Sequence, residues 1–243
     1  MERLTLLENT KQETRLIEQH IRNVAEQANG KLIILEAGCG QKWPLKLEGI
    51  DRFITGVDID EAALALRKAK HNDLHEIVIG DLRALDLPAE HFDVIYTSYV
   101  LEHIENINKV LMNFTLWLKP GGLIVIKVPD RYTVYGFLAR MTPHWLHVSY
   151  YRFIKGKTQA GEPGHAPYPI VYDPQLSRGG IKAFCDANGL QLSMEMGKNN
   201  YLRKRSKKDK VVGFFARILS TLSMGKLAWR YNDVIFIIQK PAS

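Results

Sequence analysis

The chain has 243 residues, 46% of them hydrophobic, which suits one sizeable core and a single domain with insertions rather than two domains. Its formal charge of +7 is not spread: "KNNYLRKRSKKDK", Lys198 to Lys210, holds seven Lys/Arg against one Asp and leaves only +1 elsewhere. Two cysteines, Cys39 and Cys185, exclude a disulfide framework, and neither has a CxxC partner or a metal-like spacing with His, so a reducing cytoplasmic setting and no metal are expected.

The opening "MERLTLLENTKQETR" mixes charges and lacks the basic-then-apolar pattern of a signal peptide. No apolar run is long enough to span a bilayer, so a soluble or peripheral protein is expected. Leu16, Ile17, Ile21, Val24 and Ala28 recur at helical spacing over Thr10 to Ala28, and "NG" at Asn29-Gly30 is a stop of the C-cap kind. "KLIILEAG" and "RFITGVDID" read as buried strands by their continuous apolar character. "EAALALRKAK" begins with acid and ends with bases, as the helix dipole favours, and "HEIVIGD" is a third strand.

"FDVIYTSYV" is the fourth strand. "NINKVLMNFTLWL" is a helix with Ile107, Val110, Leu111, Phe114 and Leu118 on one face; "KPGG" ends it and "LIVIKV" is the fifth strand. From Pro129 to about Ser177 a Pro-, Tyr- and His-rich stretch shows no period and is too long for an ordinary connection, as a lid or substrate-binding insertion would be. "SRGGIKAFCDANG" restores a helix, "LQLSMEM" a strand and "YNDVIFIIQKP" the last strand. The expectation is an α/β fold, a doubly wound and mostly parallel seven-stranded sheet, with ligands at the carboxyl ends of the strands. Residues 1–243 form one domain: an N-terminal helix (1–30), a cofactor-binding half (31–130), an insertion (131–177), and a basic and amphipathic insertion before the last strand (198–230).

The first strand ends in Gly38-Cys39-Gly40-Gln41-Lys42-Trp43, with Trp where a dinucleotide loop has its third glycine, which argues against NAD. Glu36 would repel a pyrophosphate, so a ligand with a cationic amino group and an adenosine part fits better. Asp58 lies twenty residues beyond Gly38, the spacing for ribose hydroxyls, and Gly80-Asp81-Leu82 offers a carboxylate and an N–H to a base. Taken singly, these are also a tight turn, a helix-start acid and a turn residue.

Together "LEAGCG", "GVDID", "GDLRALDLP", "FDVIYTSYVLEHIEN" and "LKPGGLIVIKVP" resemble the ordered motifs of class I S-adenosylmethionine-dependent methyltransferases of the type 11 group, over roughly residues 31 to 130. The resemblance implies S-adenosyl-L-methionine as cofactor. Gly38 and Gly40, with Cys39 between them, would line its methionine part and Glu36 would orient the loop or its water. Asp58 would bind the ribose, Ile59 pack on adenine, Asp81 and Leu82 read the adenine edge, and Ser98 touch the methionyl moiety. Lys42 departs from the third glycine of many members, and the segment up to Gly49 is too short and Pro-broken for their long helix.

A general base is needed only if the acceptor must lose a proton, as a hydroxyl would. His103 in "LEHIEN", with Glu102 to orient it, is placed for that by following the fourth strand; the pair could equally start a helix. His165 is a second candidate, and His144 and His147 share its insertion, where an aromatic-packed lid competes with a substrate pocket. The expected reaction is methyl transfer to a small-molecule or glycosylated metabolite, at oxygen, with N- and C-methylation open. The alternative is a methyltransferase at a membrane surface acting on a lipid-linked or prenylated acceptor. "VVGFFARILSTLSMGKLAW" carries Val211, Phe215, Ile218, Leu219 and Leu222 on one helical face beside the basic run, the composition of an interfacial helix; a helix capping the core ranks first. The same charges could contact phosphates, but the run lacks interleaved aromatics and "TSYV" is no NPPY-like motif, which argues against nucleic acid. A fold that binds cofactor or partner without transferring anything is the non-enzymatic alternative.

Overall fold

Runs that stay apolar over six or seven residues need cover on both sides, and here they form the centre of a sheet between helices. The structure is a computed structural model that describes residues 4–28, 30–40, 43–153, 156–162, 167–171, 173–202 and 207–242. The first part of the chain gives β1 (Thr5–Leu7), α1 (Thr10–Gln27), β2 (Leu32–Ala37), β3 (Arg52–Asp58), α2 (Glu61–Lys70), β4 (Glu76–Ile79), β5 (Phe92–Ser98), α3 (Ile107–Trp117) and β6 (Leu118–Pro129). After these come α4 (Val134–Met141), α5 (His144–Phe153), α6 (Arg178–Ala187), β7 (Gln191–Lys198), α7 (Lys207–Leu222) and β8 (Asp233–Gln239). The strand order is β1-β7-β8-β6-β5-β2-β3-β4, and only β8 runs antiparallel to its neighbours.

Successive side chains divide between two cores. Leu35, Ile95, Ile124 and Phe236 face α3 and α6, while Ile34, Val94, Val125 and Ile237 face α1. The chain moves outward from β2 to β3 and β4, then returns to lay β5 on the other side of β2. The carboxyl ends of β2 and β5 therefore stand side by side where the winding reverses, which opens a crevice there.

The N-terminal helix is fixed to that same edge. Asn9 caps α1 by accepting from the Gln12 N–H at 2.9 Å, and Ile17, Ile21 and Val24 bury its apolar stripe. Glu13 continues the stripe and is buried, with its carboxylate accepting from the Lys127 ammonium of β6 and the Lys198 ammonium at the end of β7. Lys127 Nζ also stands 4.8 Å over the ring of Tyr99.

The sheet has eight strands rather than seven. The extra one, β1, is a three-residue edge strand, too short to show a period, that pairs Thr5 with Met196. The insertion read as periodless holds α4 and α5. Thr133 caps α4 at 3.0 Å, but α4 buries only Val134 and Gly136 and α5 buries nothing, so neither has an apolar stripe to read. β6 begins at Leu118, before "KPGG", because Leu118 pairs with Phe92. The segment 43–50 forms no helix, as its length and proline imply, and Trp43 packs edge-on to Tyr96 at 5.5 Å. Asn29 of the expected helix stop lies outside the described residues. Among the described residues no helix is long and apolar enough to cross a membrane.

Removing the anion from a buried charge cluster leaves its cations without compensation, at about 3–5 kcal/mol. Glu13→Ala is expected to lower the unfolding free energy by roughly that amount, read from urea denaturation, and a loss below about 1 kcal/mol would contradict the buried pairing.

Candidate active site

The loop after β2 is set by two left-handed glycines and one buried base. Gly38 has φ +72 and Gly40 φ +51; a Cβ on Gly38 would fall 2.2 Å from a Val100 methyl, whereas one on Gly40 would meet nothing within 4 Å. Gly40 thus presents bare backbone to the open side, and its N–H donates to Asp58 Oδ2 at 2.9 Å. Beneath the loop, Arg67 of α2 is fully buried. Its Nη1 donates to the Cys39 carbonyl at 2.6 Å, its Nε and Nη2 to Asp73 at 2.9 and 3.0 Å, and Nη2 lies 2.7 Å from Glu36 Oε2. Burial raises the Glu36 carboxyl against the pull of that guanidinium.

Arg67 thus links Glu36 to the Cys39 carbonyl of the loop. Cys39 turns inward: its N–H donates to Val57 O at 3.0 Å, its carbonyl is held by Arg67, and burial pushes its thiol up to about 12. Of the residues expected to line the cofactor, Cys39 is thus the one whose N–H and carbonyl are bonded within the protein and whose thiol is buried. Gln41 and Lys42 lie outside the described residues.

At the end of β3, Asp58 also accepts from the Asp60 N–H at 3.0 Å, so each carboxylate oxygen is anchored by one backbone donor. Ile59 beside it is 74% exposed. After β4, the Asp81 carboxylate is bonded by Arg83, whose Nη2 stands 2.6 Å away, and this holds Asp81 below the usual carboxylate range. A base amine would have to compete with that guanidinium. Leu82 is buried, its carbonyl accepts from Asn113 Nδ2 at 2.8 Å, and among the described residues nothing accepts from its N–H.

At the end of β5, Ser98 is close enough to the Tyr96 hydroxyl to oppose the rise that burial causes there. Tyr99 follows in a left-handed conformation, φ 59, unusual for a bulky residue, and its hydroxyl donates to Asp233 at the start of β8. Burial raises Asp233 to about 6. Leu101–His103 then form a short 3-10 turn. His103 Nδ1 lies 2.6 Å from Pro169 O, and a carbonyl only accepts, so the ring proton is on Nδ1 and the Nε2 lone pair is left. Desolvation lowers His103, which keeps the imidazole neutral at pH 7. Glu102 is buried, its Oε1 3.9 Å from His103 Nε2, and burial pushes its carboxyl up to about 8, so it carries its proton and does not act as an anion toward the ring.

Part of the insertion crosses this edge. Val171 N–H donates to Glu102 O at 2.8 Å, the Tyr168 ring meets His103 edge-on at 5.8 Å, and Tyr168 is close enough to Asp58 and Asp60 for both to raise its hydroxyl. Residues 167–171 thus join the β3 and β5 ends of the crevice. His165 lies outside the described residues. His147 Nε2 contacts Thr142 Oγ1 at 3.0 Å and Ala139 O at 3.1 Å, at the corner between α4 and α5, which is a packing role.

Gly40, Asp58, Ile59, Leu82 and Ser98 are brought to one edge, and residues 35–126 match the family described as a methyltransferase domain. Over that stretch the chain is similar to the methyltransferase domain family. A protein of Mycolicibacterium smegmatis named as an S-adenosylmethionine-dependent methyltransferase is 33% identical over 101 residues, 41% of this chain and 39% of that protein. A ubiquinone biosynthesis O-methyltransferase of Coxiella burnetii is 28% identical over 148 residues, 54% of this chain and 62% of that protein. The chain thus spans about half the length of these curated relatives. The fold is that of an S-adenosylmethionine-dependent methyltransferase from Archaeoglobus fulgidus, with a TM-score of 0.51 at 20% identity over 95% of this chain and 98% of that one.

The residues at this edge fit S-adenosylmethionine, the cofactor in the name of the Mycolicibacterium relative. The bare backbone of Gly40, the fixed carboxylate of Asp58, the exposed Ile59 and the unbonded Leu82 N–H would supply a close approach, a ribose acceptor, an apolar base platform and a base-edge donor. Arg67, Tyr99 and Tyr168 were not anticipated. Arg67 alone had a readable signal, a base on the same helical face as Ala63 and Leu64.

A buried carboxyl whose proton is held in the fold adds stability that is complete below its ordinary value, 4.5 for Glu102, and is lost as pH rises through about 8. Glu102→Gln removes that dependence. Its stability relative to the wild type is expected to grow between pH 5 and pH 8.5, by a few kcal/mol, in thermal melts at both pH values, and an unchanged difference would contradict a neutral Glu102.

Proposed function

We propose that the chain transfers a methyl group from S-adenosylmethionine to a hydroxyl of a small-molecule acceptor. The observation that carries the reading is the alignment of Gly40, Asp58 and Leu82 along three successive strand ends beside a neutral histidine whose Nε2 can take a proton. The relatives named as ubiquinone biosynthesis O-methyltransferases support oxygen as the methylated atom. The cofactor supplies an electrophilic methyl on a sulfonium, and its leaving group is a neutral thioether that needs no acid.

The chain's own contribution is position and proton removal. The Gly40 backbone and Asp58 hold the donor at the β2 and β3 ends, and orientation of this kind supplies up to roughly 7–11 kcal/mol of the barrier reduction. Residues 167–171 cross the crevice between the β3 and β5 ends, through the Val171 bond to Glu102 and the Tyr168 ring beside His103. His103, its Nδ1 fixed by Pro169, presents Nε2 as general base toward the acceptor hydroxyl. A lipid-linked or prenylated acceptor is the second reading, favoured by the exposed apolar helices α4, α5 and α7.

Loss of charge-assisted ribose bonds removes about 1.5–3 kcal/mol. Asp58→Ala is expected to weaken S-adenosylhomocysteine binding roughly ten- to a hundredfold in calorimetry, and wild-type affinity would remove the ribose assignment.

Against a hydroxyl acceptor found by labelled-cofactor screening, His103→Ala is expected to lower kcat by about 10²–10⁴ with S-adenosylhomocysteine affinity unchanged. Because desolvation lowers His103 from its ordinary 6.5, kcat/KM for the wild type should be level above neutrality and fall only below that value. Full turnover by the variant would dismiss His103 as the base.

A further inference from the structure

We propose that the face formed by α4, α5 and α7 docks on an anionic membrane surface. Helix α7 packs in reverse of the usual sense. Its small residues Gly213 and Ala216 are buried, while Phe214 is 61% exposed, Phe215 60% and Leu222 74%. The expected core-capping helix is therefore not what forms. A helix that buries its small side and presents two phenylalanines and a leucine to water has its apolar face available to something outside the chain.

The exposed apolar surface continues over the neighbouring helices. Phe153 is 83% exposed, Met141 68% and Trp145 65%, and α5 buries none of its residues. The three helices meet on one side. Tyr135 of α4 stacks on Tyr201 at 4.8 Å, the Val134 N–H donates to Ala228 O just beyond α7 at 2.8 Å, and Tyr150 and Tyr151 of α5 are near enough to Tyr201 to perturb its hydroxyl. α4 follows the end of β6 and α7 precedes the start of β8, so this side adjoins the sheet edge that holds the candidate site.

Charge selects the occupant. The three helices contain a single carboxylate, Asp209, and residues 198–230 carry ten Lys/Arg against that one Asp, which leaves the remainder of the chain net −2. The first turn of α7 holds Lys207, Lys208 and Lys210, where the helix dipole disfavours cations and favours anions. An apolar helical face beside clustered cations, with a single acid on its three helices to pair with a protein partner's bases, is complementary to anionic headgroups above an acyl layer.

The docking is independent of methyl transfer, and its test needs neither acceptor nor cofactor. The full chain would be sedimented with vesicles of phosphatidylcholine, with and without a minority of phosphatidylglycerol. It is expected to bind the anionic vesicles at least about tenfold more tightly than the neutral ones, and less tightly as salt rises. Phe214→Ser with Phe215→Ser, and separately Lys207→Gln with Lys208→Gln and Lys210→Gln, are each expected to weaken that binding about tenfold or more while leaving S-adenosylhomocysteine affinity and the melting temperature unchanged. A chain that stays in the supernatant, or whose binding neither set of substitutions alters, overturns the proposal. So does a dimer that the phenylalanine substitutions dissociate, or retention on RNA without vesicle binding. Vesicle binding by a chain that transfers no methyl group would sink only the enzymatic reading.

Discussion

The buried guanidinium of Arg67 is the constraint on which the arrangement of the site depends. A loop that leaves a parallel strand and is followed by no helix has few backbone bonds of its own, and 43–50 is such a segment. Arg67 compensates from below by binding the Cys39 carbonyl, Asp73 and Glu36 at once. Desolvating a charge is expensive, and only partners on several of its donors offset it. Because the guanidinium is planar and its donors diverge, the three partners are fixed relative to one another. With the loop fixed, the Gly40 N–H reaches Asp58, and the ends of β2 and β3 become one surface.

Glu13 plays the corresponding part at the other end of the crevice. It joins α1 to β6 and β7 through two ammonium groups, one of which also faces the Tyr99 ring. Tyr99 in turn bonds Asp233, so the ends of β5, β6, β7 and β8 are held by one polar cluster. Both networks sit at the carboxyl edge, where antiparallel β8 contributes its start and the parallel strands their ends. The site is therefore braced by buried polar networks under its floor, while the groups that would face ligand are backbone N–H, carboxylate and imidazole.

How much of this was legible follows from which residues bury which face. Leu32–Ala37, Arg52–Asp58 and Phe92–Ser98 could be read because strands covered on both sides must be apolar throughout, and the acids and glycines of the site stand directly after them. Glu13 and Arg67 were passed over although each occupies an apolar position of its helix, Glu13 on the stripe of Ile17, Ile21 and Val24, and Arg67 with Ala63 and Leu64. A charge on an apolar stripe is a readable sign of a buried pair, but nothing local names the partner. Tyr99 and Tyr168 gave no such sign, because their roles arise from strands and loops far apart in sequence.

The helices that escaped or misled the reading share one cause. Periodicity reveals a helix by the face it buries in its own chain, and α5 buries none while α7 buries its small side. α7 has a regular apolar period, so the sequence alone favoured packing on the core, yet the body of the domain is already closed by α1 on one sheet face and by α3 and α6 on the other. With the centre of the sheet covered in this way, Phe214, Phe215 and Leu222 of α7 stay on the outside of the domain. The same cover sets these helices at the rim of the crevice rather than beneath it, so the surface that meets the exterior and the site that would receive an acceptor share one edge of the sheet.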